Sequence, residues 1–424
     1  MERQISRSEL WFMIGSLFLA FSQWPFFWSQ LLQEVRLNIG VNVGLTSFFY
    51  FTLSTAIAFI TYRNWRSLSP YVISVIGYVL IAIAGIHLSG AHWKTDFFYL
   101  SAAVFALSLS STRTEVLRLL ANAAIFIYIA LSLPSVLIFL GKLFWIAIPH
   151  TDISLLGRPE ILYPFGLIVP YGASAICDNH ILVRIQGYSD EPGVLGTYAV
   201  FFLILNHFVG FKKYQTSVSI ILHVLGTLSF SLFYLVSAWV FLLPAALWRL
   251  RTDKAAKSML IGIAAGGMVL LALPLFSKAQ CGDASLVLEA EPIRRLLHGD
   301  PQLGRNDRAQ FDFLAISHGR SLIEHGQWKD LFIGKVSSAG TLSGWTAILY
   351  SNGLLGVATT LLFFVYIALR YPAAIIILLP AMLSFYQRQD FAIVPMMAIF
   401  WVTMTRFMPQ AQRSTCPVPA LNHF

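Results

Sequence analysis

LLANAAIFIYIALSLPSVLIFLGKLFWIAI, residues 119–148, carries one charge, Lys142, along its whole length. A helix needs about 20 apolar residues to cross the hydrocarbon core of a bilayer, so this stretch reads as a transmembrane helix. The rest of the chain has the same character. Of 424 residues, 57% are hydrophobic and 12% charged, and mean hydropathy is +0.69. Working outward, about twelve such segments appear, at 9–30, 41–62, 69–88, 96–111, 119–148, 193–210, 216–233, 235–249, 258–277, 345–369, 371–387 and 391–408. The seventh and eighth are short and nearly fused. The runs are continuously apolar, unlike the alternating strands of a membrane barrel. The first is too long for a cleavable signal peptide and has no small-residue cleavage site after it. The expected fold is all-α: one transmembrane domain over 1–424, with two long outer loops at about 149–193 and 278–344.

Lysine and arginine set the expected orientation. Arg3/Arg7, Arg63/Arg66, Arg113/Arg118, Lys212/Lys213, Arg249/Arg251/Lys254/Lys257, Arg370 and Arg406/Arg413 all fall inside when the chain is threaded from a cytoplasmic N-terminus. The net charge of +9 and pI near 9.5 express mostly this bias. They point to acidic lipid at the inner face and not to nucleic acid. The two long loops and the turn Arg388–Asp390 then lie outside. Both loops bear arginine, against the usual trend, and that exception marks them as the places to look for chemistry. Cys177 and Cys281 sit one in each loop, and Cys416 in the inner tail. The loop cysteines either pair in an oxidising compartment or stay separate thiols, because the geometry of a disulfide is not written in spacing.

In the first loop Arg184, Gly187, Asp190, Glu191 and Pro192 precede a helix. Pro192 suits the first helical turn and Glu191 complements the helix dipole. A helix start with an arginine beside it attracts phosphate; equally, Arg184 and Glu191 can form a structural pair. In the second loop a helix is expected over about 307–324, capped by Asn306 or Asp307. Arg308, Phe311, Ala315, His318 and Leu322 share one face of it. Arg294, Arg295, Arg305, Arg320 and His325 read as solvated, and His318 as a packed or bridging histidine more than a base. Ser229–Trp239 is polar for a membrane segment, and its serines are expected to bond across helices. No residue set has zinc or calcium spacing. There is no phosphate-loop, dinucleotide or serine-elbow motif.

Taken in order, these motifs resemble the bacterial O-antigen and polysaccharide polymerases and the related O-antigen ligase superfamily. The likeness rests on Arg184, Gly187, Glu191 and Pro192 before a helix, on the serines of Ser229–Ser237, on Arg308 and Phe311, on a stretch containing Gly334, and on YSNGLLG at Tyr350–Gly356. It spans roughly residues 184–356. Two positions depart from it. Ser338–Trp345 holds no histidine where the ligases carry one, which favours polymerase over ligase, and Gly193 stands where the family has Asn after Glu-Pro.

The resemblance implies a GT-C-like fold and a metal-independent glycosyltransferase without cofactor, in the bacterial inner membrane with its active site facing the periplasm. It implies that undecaprenyl-diphosphate-linked oligosaccharide repeats are polymerised into O-antigen or capsular polysaccharide, with membrane lipid and a chain-length regulator protein as partners. It further implies Arg184 and Arg308 on the diphosphates, and Glu191 on an acceptor hydroxyl or orienting Arg184. Gly187, Asp190, Phe311, His318 and Arg305 would complete the substrate site. Alternatives are a ligase delivering glycan to lipid A-core and a twelve-helix transporter of an anionic or lipid-linked glycan. A transporter should show midplane charges and repeat symmetry, neither of which is evident.

Overall fold

The computed structural model describes residues 5–23, 43–61, 68–88, 96–144, 146–155, 158–163, 167–170, 174–177, 180–182, 185, 187, 189, 192–229, 231–249, 257, 259–268, 317, 319–334, 344–387 and 394–415. It is mostly helical. The chain divides into two compact units, residues 1–19, 43–121 and 312–424, and residues 20–42 and 122–311.

The first unit holds most of α1 (Arg7–Ser22), α2 (Val43–Thr61), α3 (Pro70–Leu88), α4 (Asp96–Ser110) and the first turns of α5 (Thr114–Leu143). After the second long loop come α11 (residues 319–324), α12 (Trp328–Ile333), α13 (Gly344–Arg370), α14 (Ile375–Gln387) and α15 (Pro395–Thr415). Serines stitch the helices together. Ser54 and Ser101 hydroxyls lie 2.7 Å apart between α2 and α4. Ser74 donates to the Thr359 carbonyl at 2.9 Å between α3 and α13, where Gly77 lets Thr359 approach. Such small polar residues hold apolar helices together where burial of surface offers little drive.

The second unit holds the rest of α5, five short strands, α6 (Pro192–Val209), α7 (Gln215–Leu228), α8 (Leu232–Val236), a π-helical turn (Ser237–Leu242), α9 (Leu243–Arg249) and α10 (Met259–Met268). α6 is almost wholly buried. Its Asn206 carboxamide donates to the Gln215 carbonyl at 2.8 Å and to Ser219 at 2.9 Å, which fixes α7 against it.

Among the described residues, three helical stretches are long and apolar enough to cross a membrane: Pro70–Leu88, Thr114–Gly141 and Asn352–Arg370. The remaining apolar helices are shorter. Large hydrophobic side chains face outward on long and short helices alike, among them Phe59 (71% exposed), Leu137 (68%) and Leu369 (79%). Apolar exposure of this extent on a soluble chain would mark an interaction surface. With the three long helices, it is compatible with an all-α membrane protein.

The structure departs from the sequence reading in three places. The first long loop is not purely irregular. It contains β1 (Thr151–Leu155), β2 (Arg158–Tyr163) and β3 (Leu167–Pro170) in one antiparallel sheet, with Thr151 opposite Leu162 and Glu160 opposite Pro170. β4 (Ser174–Cys177) and β5 (His180–Leu182) form a second, bulged pair. Burial pushes the Tyr163 phenol up, and the Asp152 carboxylate acts in the same direction. The boundary expected between residues 233 and 235 lies earlier, at Ser229–Ser231, because Ser231 caps α8 by accepting from the Tyr234 N–H. Finally, α13 is not continuous. It breaks at Gly353, whose φ of 62° and ψ of −168° are non-helical.

Candidate functional site

Of the candidate catalytic and substrate-binding residues, Gly187 is described. Arg184, Asp190, Glu191, Arg305, Arg308, Phe311 and His318 lie outside the described residues, as does Cys281. The backbone around Gly187 shows how the first motif is held.

Three contacts fix it. The Ile185 N–H donates to the Leu228 carbonyl at 3.2 Å, at the C-terminal end of α7. Gly187 has φ +58°, and a Cβ there would lie 3.2 Å from both Cα and Oγ of Ser132 on α5. The Gly193 carbonyl, at the start of α6, accepts from Thr197 at 2.8 Å and from Ser231 at 3.5 Å. One turn further, a Cβ on Gly196 would lie 2.7 Å from Ser229 Oγ and 2.8 Å from Ser231 Oγ. The short link 228–231 therefore grips the segment 185–196 at both ends. Ser189, between the grips, is buried.

Ser229 and Ser231 of the link are themselves hydrogen-bonded. Ser229 Oγ donates to the Gly226 carbonyl at 2.6 Å and accepts from the Ser231 N–H at 3.2 Å. Behind it, His223 of α7 and Tyr234 of α8 are both buried, with His223 Nδ1 2.6 Å from the Tyr234 hydroxyl. That hydroxyl also donates to the His223 carbonyl at 3.2 Å. A phenol has one proton to give. Both contacts are satisfied when Tyr234 donates to the carbonyl and a proton on Nδ1 is donated to the phenol oxygen. Nε2 is then a bare lone pair, and it is buried without a hydrogen-bond partner. α10 closes over it, since a Cβ on Gly262 would run into the imidazole. Sequence reading passed over this pair. A histidine inside an apolar segment was the available signal, because ionisable groups there are rare and commonly functional.

In the other unit, the YSNGLLG stretch is the broken part of α13. A Cβ on Gly353 would collide with the Phe332 carbonyl and lie 2.6 Å from Ile333 N, so the end of α12 rests directly on this glycine. Asn352, buried, accepts from the Tyr78 hydroxyl at 2.9 Å. Gly334 ends α12 with φ 86°, its N–H donating to the Asp330 carbonyl at 2.9 Å. Arg320 is exposed and pairs with Glu324 at 2.9 Å, while Leu322 is buried. Among the described residues no cluster of His, Cys, Asp and Glu could hold a metal ion.

Compared with protein families, curated proteins and solved structures, the chain has no match in any of the three.

Proposed function

We propose that the chain is a multi-pass glycosyltransferase of about twelve transmembrane helices that polymerises undecaprenyl-diphosphate-linked oligosaccharides at the outer face of a bacterial inner membrane. The observation that carries this reading is the contact between two motifs far apart in sequence. The segment that follows Arg184 and the serine link near residue 230 belong to the same resemblance, and they grip one another at Leu228, Ser229 and Ser231. A motif that must hold an arginine against a diphosphate needs such rigid support, because preorganised donors stabilise developing charge without reorganising.

In the proposed reaction the bond between the anomeric carbon of the growing glycan and its lipid diphosphate breaks. The electron pair leaves on the diphosphate oxygen. A hydroxyl at the non-reducing end of the next lipid-linked repeat forms the new bond and gives up its proton. Charge grows on the leaving group while the sugar gains oxocarbenium character. Arg184 and Arg308 stabilise that charge, and Glu191 orients Arg184 or takes the proton of the acceptor. Gly187, Asp190, Phe311, His318 and Arg305 line the substrate.

Arg184→Lys tests the assignment. Lysine keeps the charge but lacks the planar fork that matches two phosphate oxygens. In a deletion strain complemented with the variant, polymer should largely disappear while the protein remains inserted. Wild-type banding would instead leave Arg184 as a surface partner of Glu191, since exposed pairs contribute only about 0–1 kcal/mol.

A further inference from the structure

The first unit carries a second arginine constellation, unrelated to the loops. Glu9 of α1, Ser69 before α3, Ser110 at the end of α4, Arg113 before α5, and Thr405 and Arg406 of α15 meet at one corner. Ser69 N–H donates to Ser110 Oγ at 2.8 Å, and Ser69 Oγ lies 2.8 Å from Thr405 Oγ1. Arg406 donates to the Ser110 carbonyl at 2.5 Å. Arg113 Nη2 is 2.6 Å from Glu9 Oε1, and the other oxygen of Glu9 is occupied by Ser6. Arg118 packs over the Phe407 ring at 5.6 Å. The Arg113 Nε is buried and has no hydrogen-bond partner.

We propose that this corner binds the phosphate of an acidic membrane phospholipid. Two guanidinium groups, of Arg113 and Arg406, reach this corner, and Glu9 neutralises one of them. The Arg113 side chain keeps a third of its surface exposed, which leaves part of its guanidinium open to a phosphate oxygen. Guanidinium forks match phosphate in two-point contacts. The corner also stands where α3 and α5, two helices of membrane-spanning length, begin. Basic pockets at such helix ends take acidic head groups. Leu10, Trp11 and Leu68, next in sequence to Glu9 and Ser69, expose half or more of their surface and offer acyl chains an apolar wall. The inference needs only that α3 and α5 cross a bilayer, and it is independent of glycosyl transfer.

The purified full chain would be reconstituted with phosphatidylcholine and phosphatidylglycerol, and retained lipid read by native mass spectrometry after mild delipidation. Phosphatidylglycerol should be retained in preference. Arg113→Gln and Arg406→Gln should each lower retention about five-fold, the usual effect of one arginine at an acidic surface. Arg406→Lys should not fully restore it. Glu9→Gln should raise retention, because it frees the Arg113 fork; a misfolded variant would not show such a gain. Equal retention of both lipids, no gain from Glu9→Gln, or displacement of the lipid by inorganic phosphate alone would each overturn the proposal.

Discussion

Gly187 is the residue where backbone constraint lies closest to the proposed chemistry. Its φ of +58° is left-handed, and Ser132 fills the space where a side chain would go. For other residues that conformation costs roughly 1–2 kcal/mol. Gly187→Ala should therefore shift the segment that carries Arg184, and polymer yield per inserted molecule should fall while global thermal stability drops only slightly. Unchanged yield would mean the strain is not transmitted to the site. The arginines of the second loop separate in the same way. Arg308→Ala should reduce polymer formation by about 10²–10³, as when a preorganised charge-stabilising donor is lost. Arg320→Ala should be nearly silent, because Arg320 is exposed and already paired with Glu324, and Arg305→Ala should cost far less than Arg308→Ala. Equal defects at all three, measured side by side in one strain, would reduce the loop to a basic surface.

Among the elements, the link between α7 and α8 and the break in α13 matter most. Ser231→Ala removes the cap of α8 and one contact to Gly193, and should destabilise the protein by about 1 kcal/mol, read from its unfolding midpoint in detergent. Gly353→Ala should be worse, since it adds a collision with the Phe332 carbonyl to a left-handed φ. These two elements also show what sequence reading can reach. The polar character of Ser229–Trp239 was legible, as was the expectation that its serines bond across helices. That Gly193 and Gly196 would be the partners was not, because the contact depends on how closely α6 approaches. The apolar run 345–369 was legible as a helix, but its break was hidden, because the cause lies in the backbone of Phe332, distant in sequence. The short strands between residues 151 and 182 leave no mark in hydropathy on the scale of a membrane span, and pairs such as Thr151 with Leu162 are set by register. Tyr234 gave no sign of itself as the partner of His223.

For the whole molecule, the account depends on which side of the membrane each loop occupies. The proposed topology has residues 150–190 and 280–340 outside and both termini inside. In a background without native cysteines, Ser285→Cys should label with an impermeant thiol reagent added to intact cells, and Ser258→Cys should be spared. The reverse pattern would put both arginine loops in the cytoplasm and remove the substrate proposed for them. The central claim is polymerisation, and its most direct measurement is a reconstitution. Purified protein in liposomes, supplied only with undecaprenyl-diphosphate-linked oligosaccharide repeats, should produce a ladder of glycans on a gel, and Arg184→Lys should produce none. Folded, inserted wild-type protein that leaves the repeats at unit length would contradict the account.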